Sequence, residues 1–352
     1  MDAGNIPESN QRKAYLDHFR ILATLFVVVL HASAQNWTNA GVSTLEWQTF
    51  NFFDSIARWC VPAFVMISGA LFLDREIPLK KLYTKYCLRL VCAFVFWSAV
   101  YMMFTEGTLK ERLLTFISGH YHMWFILMMI GLYVCTPIIK KIVSDIKIAK
   151  YYLILSFVFG FVIPETVVFL GDFAGKNVNL VAGALYSDVV GMNMQLVLGY
   201  TCYYVWGYYL SKTELSKKQR IWIYLLGLAG FAATVILDSV VALRTQQPCQ
   251  NYYSLFTVNV MFETTALFTW FKYRRYGCGK KEKIFALLSK YSFGAYLVHA
   301  LFLELAETKL GINTLSFNPV LSVVSISLSV CVISFIVSAI INRIPFINKY
   351  IV

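Results

Sequence analysis

Charge is scarce in this chain. Asp, Glu, Lys and Arg make up 14% of its 352 residues against 58% apolar residues, and acids are outnumbered 19 to 31 by Lys and Arg. A soluble globular domain carries about a quarter charged residues, so that class is excluded. Long polar stretches are missing too, which leaves residues 1–352 as a single transmembrane domain. Internal repeats and low-complexity tracts are absent by inspection. The eight cysteines are scattered, mostly within apolar runs, with Cys249 alone expected on the outer side. With no CxxC or Cys/His ligand spacing among them, a disulfide framework and a zinc site are unsupported, and no metal is expected.

What the chain has in abundance is apolar runs long enough to cross about 30 Å of hydrocarbon. They fall near 18–37, 50–73, 86–105, 121–139, 151–170, 190–210, 221–240, 253–271, 284–305 and 319–341. The expected fold is therefore all-α and polytopic, with about ten helices and the lipid bilayer as its first partner.

The net charge of +12 is mostly topological. With the first residues inside, 22 of the 31 Lys and Arg fall in cytoplasmic segments, whereas Lys110, Arg112, Lys176, Arg244 and Lys309 fall on the other side. Both termini are expected in the cytoplasm, and nucleic acid is not an expected partner. Arg12 and Lys13 before an apolar run ending in Ala32, Ser33 and Ala34 resemble a secretory signal. Asp17 and Arg20 beside that run favour its retention as the first membrane helix.

Within that helix lies the most informative pair. Arg20 and His31 are eleven residues apart, which on an α-helix returns the second side chain to within about 20° of the first, about 16 Å further along the axis. Ionisable groups at membrane depth are costly unless they face a cavity or a partner, so such a stripe reads as a functional path. Arg89 and Lys290 share the cytoplasmic end with Arg20, and His122 and His299 share the outer half with His31. Cations inward and imidazoles outward suit a substrate with an anionic end and a reactive end near a general base. Asp17 is placed to orient Arg20. Arg58 is divided between an ion pair with Asp54 and an acceptor site. Trp124 is a candidate for stacking on a sugar face, and Tyr296 shares a helix face with His299. Ser68 and Gly69 read as a close helix contact. Glu165 and Glu263 are membrane-depth acids without an assigned role.

Four blocks carry a family resemblance: Tyr15–Ala23 continuing to His31, Val61–Leu73, His122–Leu127 with Gly131–Ile138, and Tyr291–His299. In this order and spacing the chain resembles the acyltransferase-3 family of membrane O-acyltransferases, and within it the short members typified by the enterobacterial common antigen O-acetyltransferases. The resemblance implies transfer of an acyl group, usually acetyl, from cytoplasmic acetyl-CoA or another acyl-CoA to a hydroxyl of a lipid-linked or cell-surface glycan, in the inner (cytoplasmic) membrane. Acyl-CoA is then donor substrate, with no bound cofactor. The family's Arg-x10-His pair falls on Arg20 and His31, giving Arg20 to donor phosphate and His31 to proton abstraction. Its basic RxxR motif falls on Tyr86 and Arg89, so the first arginine is missing. Lys85, one residue earlier, is the candidate replacement, although it points about 100° away.

A secondary transporter or flippase is the alternative class, yet paired halves or matching broken helices are not apparent. No oligomeric state is implied.

Overall fold

The structure, a computed structural model, describes residues 13–174, 181, 183, 184, 187, 197–277 and 279–352. Arg12, Lys176 and the first part of the expected run 190–210 lie outside the described residues. Every regular element among the described residues is helical, so this is an all-α polytopic membrane protein. Among the described residues eight segments are long and apolar enough to cross a membrane: Ala14–Gln35, Leu45–Phe72, Leu79–Phe104, Trp124–Val143, Ile146–Phe173, Lys217–Thr245, Lys280–Leu310 and Pro319–Ile341.

The chain opens with α1 (Ala14–Gln35) and then α2 (Leu45–Ser55) and α3 (Cys60–Phe72), two halves of one span. Pro62 explains the break between them. It lacks the N–H that would reach the Arg58 carbonyl, and the chain tightens into i→i−3 bonds from Ala57 to Asp54, Arg58 to Ser55 and Cys60 to Ala57. The carbonyl of Ile56, bypassed by Cys60, accepts instead from the Trp59 indole at 2.8 Å. A wide π-helical turn, Leu82–Cys87, leads into α4 (Leu88–Phe104). The short surface helix α5 (Leu109–Ser118) follows, started by a reciprocal capping box between Thr108 and Glu111. Next come α6 (Trp124–Val143), then α7 (Ile146–Phe157) and α8 (Ile163–Phe173), joined by a second π-helical turn.

Helix α9 (Tyr200–Lys212) comes next. One of the ten expected spans, 253–271, is shorter than predicted: α11 (Val258–Tyr273) has 16 residues, reaching about 24 Å. It sits inside the protein, where membrane thickness does not dictate its length. α11 buries Asn259, Val260, Glu263, Thr264, Phe268 and Thr269 around its circumference. Its acid is satisfied, since Glu263 accepts from Thr234 of α10 (Lys217–Thr245) at 3.2 Å. Glu165 of α8 accepts the Val258 backbone N–H at 2.7 Å, so this membrane-depth carboxylate caps the free start of α11. The chain ends with α12 (Lys280–Leu310), α13 (Pro319–Ile341) and α14 (Pro345–Tyr350).

Without a hydrophobic drive between helices in lipid, association depends on close approach. α3 and α9 meet backbone to backbone at two glycines. A Cβ on Gly69 would lie 1.8 Å from the Tyr204 carbonyl oxygen, and one on Gly207 would lie 2.1 Å from that of Met66. The expected close contact is thus present at Gly69, whereas Ser68 lines a cavity. Gly207→Ala is expected to destabilise the detergent-solubilised protein by about 1–3 kcal/mol, read as a lower thermal midpoint. Gly131→Ala, with nothing within 4 Å, should leave that midpoint unchanged.

Candidate active site

α1 and α12 run parallel as neighbours, and their polar side chains meet in register. Near one end Arg20 Nη1 donates to Ser289 Oγ at 3.4 Å. Near the other the rings of His31 and His299 stack with centroids 5.2 Å apart. Further on, Gln35 Nε2 donates to Glu307 at 2.5 Å. The Arg20 and His31 stripe therefore faces one partner helix along its length.

Around Arg20 lies a cavity of about 510 Å³. Arg20, Arg75, Arg89 and Lys290 line it, and none of its lining residues is acidic. The charged side chains of the lining are therefore all cations. Elsewhere the lining turns to Phe64, Phe125, Met129 and Tyr296. Arg89 donates through Nη2 to the Val352 carbonyl at 2.5 Å and lies 5.5 Å from the Phe293 ring centre. Tyr86, in place of the missing arginine, lines the same wall. Lys85 does not line the cavity. It is exposed on the outside of the π-helical turn, 5.8 Å from the centre of the Tyr86 ring.

Beyond Tyr296 and Phe125 the imidazoles gather. Tyr296 donates to the His122 carbonyl at 2.6 Å, and the His122 and His299 rings are 5.0 Å apart. His31 lies 6.4 Å from His122 and 5.1 Å from the Tyr121 ring. His122 and His299 are 2% and 0% exposed, whereas His31 is half-buried. His299 Nδ1 sits 2.5 Å from the Tyr296 carbonyl. A carbonyl only accepts, so Nδ1 carries the proton and Nε2 keeps its lone pair. That Nε2 is buried without a hydrogen-bond partner, and so is that of His122.

A family model described as an acyltransferase domain matches residues 13–342. The chain belongs to the acyltransferase-3 family. No curated protein and no solved structure matches it. As an acyltransferase-3 member with several membrane-spanning helices, it is a multi-pass membrane acyltransferase.

The acyltransferase fold thus brings together Arg20, Arg89, Tyr296, His31, His122 and His299, with Asp17 buried one turn before Arg20. It sets Arg58 and Trp124 elsewhere. Arg58 pairs with Asp54 at 2.6 Å and lies 4.2 Å from the centre of the Tyr253 ring. It lines a second cavity of about 370 Å³ with Tyr200, Gln250, Tyr253, Ser254 and Phe256. Trp124 is 40% exposed, its ring 5.9 Å from that of Tyr200 on the side of this second cavity. Two cluster members escape the sequence reading. His120 lies 3.1 Å from His122, Nδ1 to Nδ1, and its Nε2 lies 2.7 Å from Glu304. The signal for His120 was its place two residues before His122, within a turn closed by the Met123 N–H on the His120 carbonyl at 2.7 Å.

The cationic mouth is braced by one carboxylate. Asp74 accepts from Lys13 at 3.0 Å and from Lys212, joining the start of α1 to the ends of α3 and α9. Burial pushes its carboxyl up, but hydrogen bonds from Lys212 and Lys13 outweigh this and hold it below the usual carboxylate range. A depressed carboxylate stabilises the fold above its unfolded pKa, about 4, and loses that contribution as pH falls through the folded value. Asp74→Asn is expected to lower the thermal midpoint at pH 7. Wild type and variant should converge as the pH falls below about 4.

Proposed function

We propose that this acyltransferase moves an acyl group, acetyl in the first instance, from cytoplasmic acyl-CoA to a hydroxyl of a lipid-linked or cell-surface glycan, in the inner membrane, in the manner of the enterobacterial common antigen O-acetyltransferases. The observation that carries this reading is the acid-free lining of a cationic cavity whose wall residue Tyr296 packs on its far side against a cluster of imidazoles. A CoA thioester has the matching polarity: phosphates at one end, a slim pantetheine arm, and a reactive carbonyl at the other. Guanidinium forks suit phosphate oxygens, and the rise from Arg20 to His31, about 16 Å, is comparable to that arm.

In this reading Arg20, Arg89 and Lys290 hold the phosphates, and the thioester reaches past Phe125 and Tyr296. A sugar hydroxyl is a weak nucleophile at neutral pH. His31 takes its proton while the oxygen attacks the thioester carbonyl carbon. The tetrahedral intermediate collapses with cleavage of the carbon–sulfur bond, and the thiolate leaves with the proton that His31 gives up. Atoms balance with free CoA and an ester as products. The smaller cavity, with Arg58, Gln250 and Ser254 set among aromatic rings, has the mixed polar and aromatic lining that suits a sugar acceptor.

Binding and proton transfer are separate demands, and variants should separate them. Arg20→Ala is expected to weaken acyl-CoA binding about tenfold or more, in line with a lost charge-assisted contact of 1.5–3 kcal/mol. His31→Ala and His31→Gln should bind acyl-CoA normally and lose turnover. Titration of purified protein with acyl-CoA, alongside radiolabelled acyl transfer, reads both. Equal loss of binding in all three would overturn the division of roles.

The exposed position of Lys85 gives a second test. Arg89→Ala should raise the apparent KM for acyl-CoA, whereas Lys85→Ala should leave it near wild type. The opposite ranking would move the donor path to the other side of the π-helical turn.

A further inference from the structure

The imidazole cluster contains a directed chain of hydrogen bonds that the reaction above does not use. It begins at Glu304, whose side chain is 42% exposed, with Oε1 2.7 Å from His120 Nε2. An ionised carboxylate only accepts, so His120 Nε2 carries a proton. In neutral His120 the other nitrogen, Nδ1, is then a lone pair. It faces His122 Nδ1 at 3.1 Å, and two bare nitrogens do not bond, so His122 Nδ1 carries the proton. By elimination His122 Nε2 is bare. This atom is the one buried without a partner.

The supporting contacts hold the chain in place. The Tyr101 ring stacks on His120 with centroids 4.1 Å apart and planes 9° from parallel. The Tyr101 hydroxyl donates to the Leu297 carbonyl at 2.8 Å and accepts from the Leu301 N–H at 3.2 Å, fixing it on α12. The Tyr121 ring lies 4.4 Å from that of His120. His31 and His299 border His122 on the remaining side, as described above. Two imidazoles in series thus pass the proton preference of Glu304 inward to a nitrogen beside His31.

We infer that Glu304 and His120 are positioning residues that fix the tautomer of His122, so that its Nε2 faces the reaction centre as a proton acceptor. This role rests on the acyl-transfer reading, because it gives the glycan hydroxyl a second acceptor, His122 Nε2, beside the base His31. A carboxylate that orients an imidazole in this way contributes through geometry and tautomer without itself becoming protonated. With Glu304 removed, His120 is free to adopt either tautomer, and His122 follows it.

The test separates the tautomer from the reaction. Nitrogen-15 NMR of histidine-labelled protein in lipid nanodiscs, with the His122 signals assigned by loss in His122→Gln, should show His122 protonated on Nδ1 and bare on Nε2. In Glu304→Gln the same signals should report a mixture of tautomers. In kinetics with acetyl-CoA, Glu304→Gln should lower kcat at least about tenfold with KM unchanged, and Glu304→Asp should recover part of the loss. A proton on His122 Nε2 in the wild type, or the same single tautomer in Glu304→Gln, would overturn the inference. A kcat unchanged in Glu304→Gln would overturn it as well. If wild-type protein transfers nothing from acetyl-CoA, the functional reading fails by itself, and the wild-type spectrum still decides the tautomer.

Discussion

The parallel pairing of α1 with α12 is the constraint on which the site depends. An arginine and a histidine on one apolar helix are tolerable at membrane depth only if something polar meets each of them. α12 does this twice, with Ser289 for Arg20 and His299 for His31. The two contacts on α12 lie ten residues apart, a rise of about 15 Å against about 16 Å for the eleven residues on α1, so both pairs meet at matching heights. The path between the two ends is then a consequence of helical pitch. The other helices close around it: α3 and α6 supply the aromatic wall, and the α3–α9 glycine contact holds that wall against the rest of the bundle.

Much of this arrangement is legible in the sequence because the bilayer simplifies the problem. Backbone groups must be satisfied within each segment, so apolar runs become helices, and the Arg20 and His31 periodicity needs no knowledge of tertiary structure. The segregation of Arg20, Arg89 and Lys290 from His31, His122 and His299 is equally visible once depth is assigned, and the structure keeps it. The length of α11 is less visible. Hydropathy measures what a segment can cross, whereas an enclosed helix ends where its neighbours do.

The partners of the histidines are invisible for a different reason. Glu304 follows His299 by five residues, which on a helix puts it on another face, and it meets His120 from a loop 184 positions away in sequence. No local pattern encodes that encounter. Lys85 shows the converse. Charge alone recommends it as a substitute at the start of α4, yet the cavity wall there is made by Tyr86. Arg58 is intermediate. Its pairing with Asp54 follows from an i, i+4 spacing, while its position beside Tyr253 and the second cavity depends on the break at Pro62.

The π-helical turn at Leu82–Cys87 has a consequence for how this protein tolerates change in length. Such a turn holds one more residue than the α-helical turn it replaces. Deleting a single residue between Leu82 and Cys87 would convert it to an ordinary turn and leave α4 where it is. The same deletion just after Arg89 would swing every later side chain of α4 by about 100° relative to Arg89 and the cavity wall. Length variation among relatives in this region should therefore be confined to those six positions, and a one-residue gap there would mark a remodelled mouth, not a lost site.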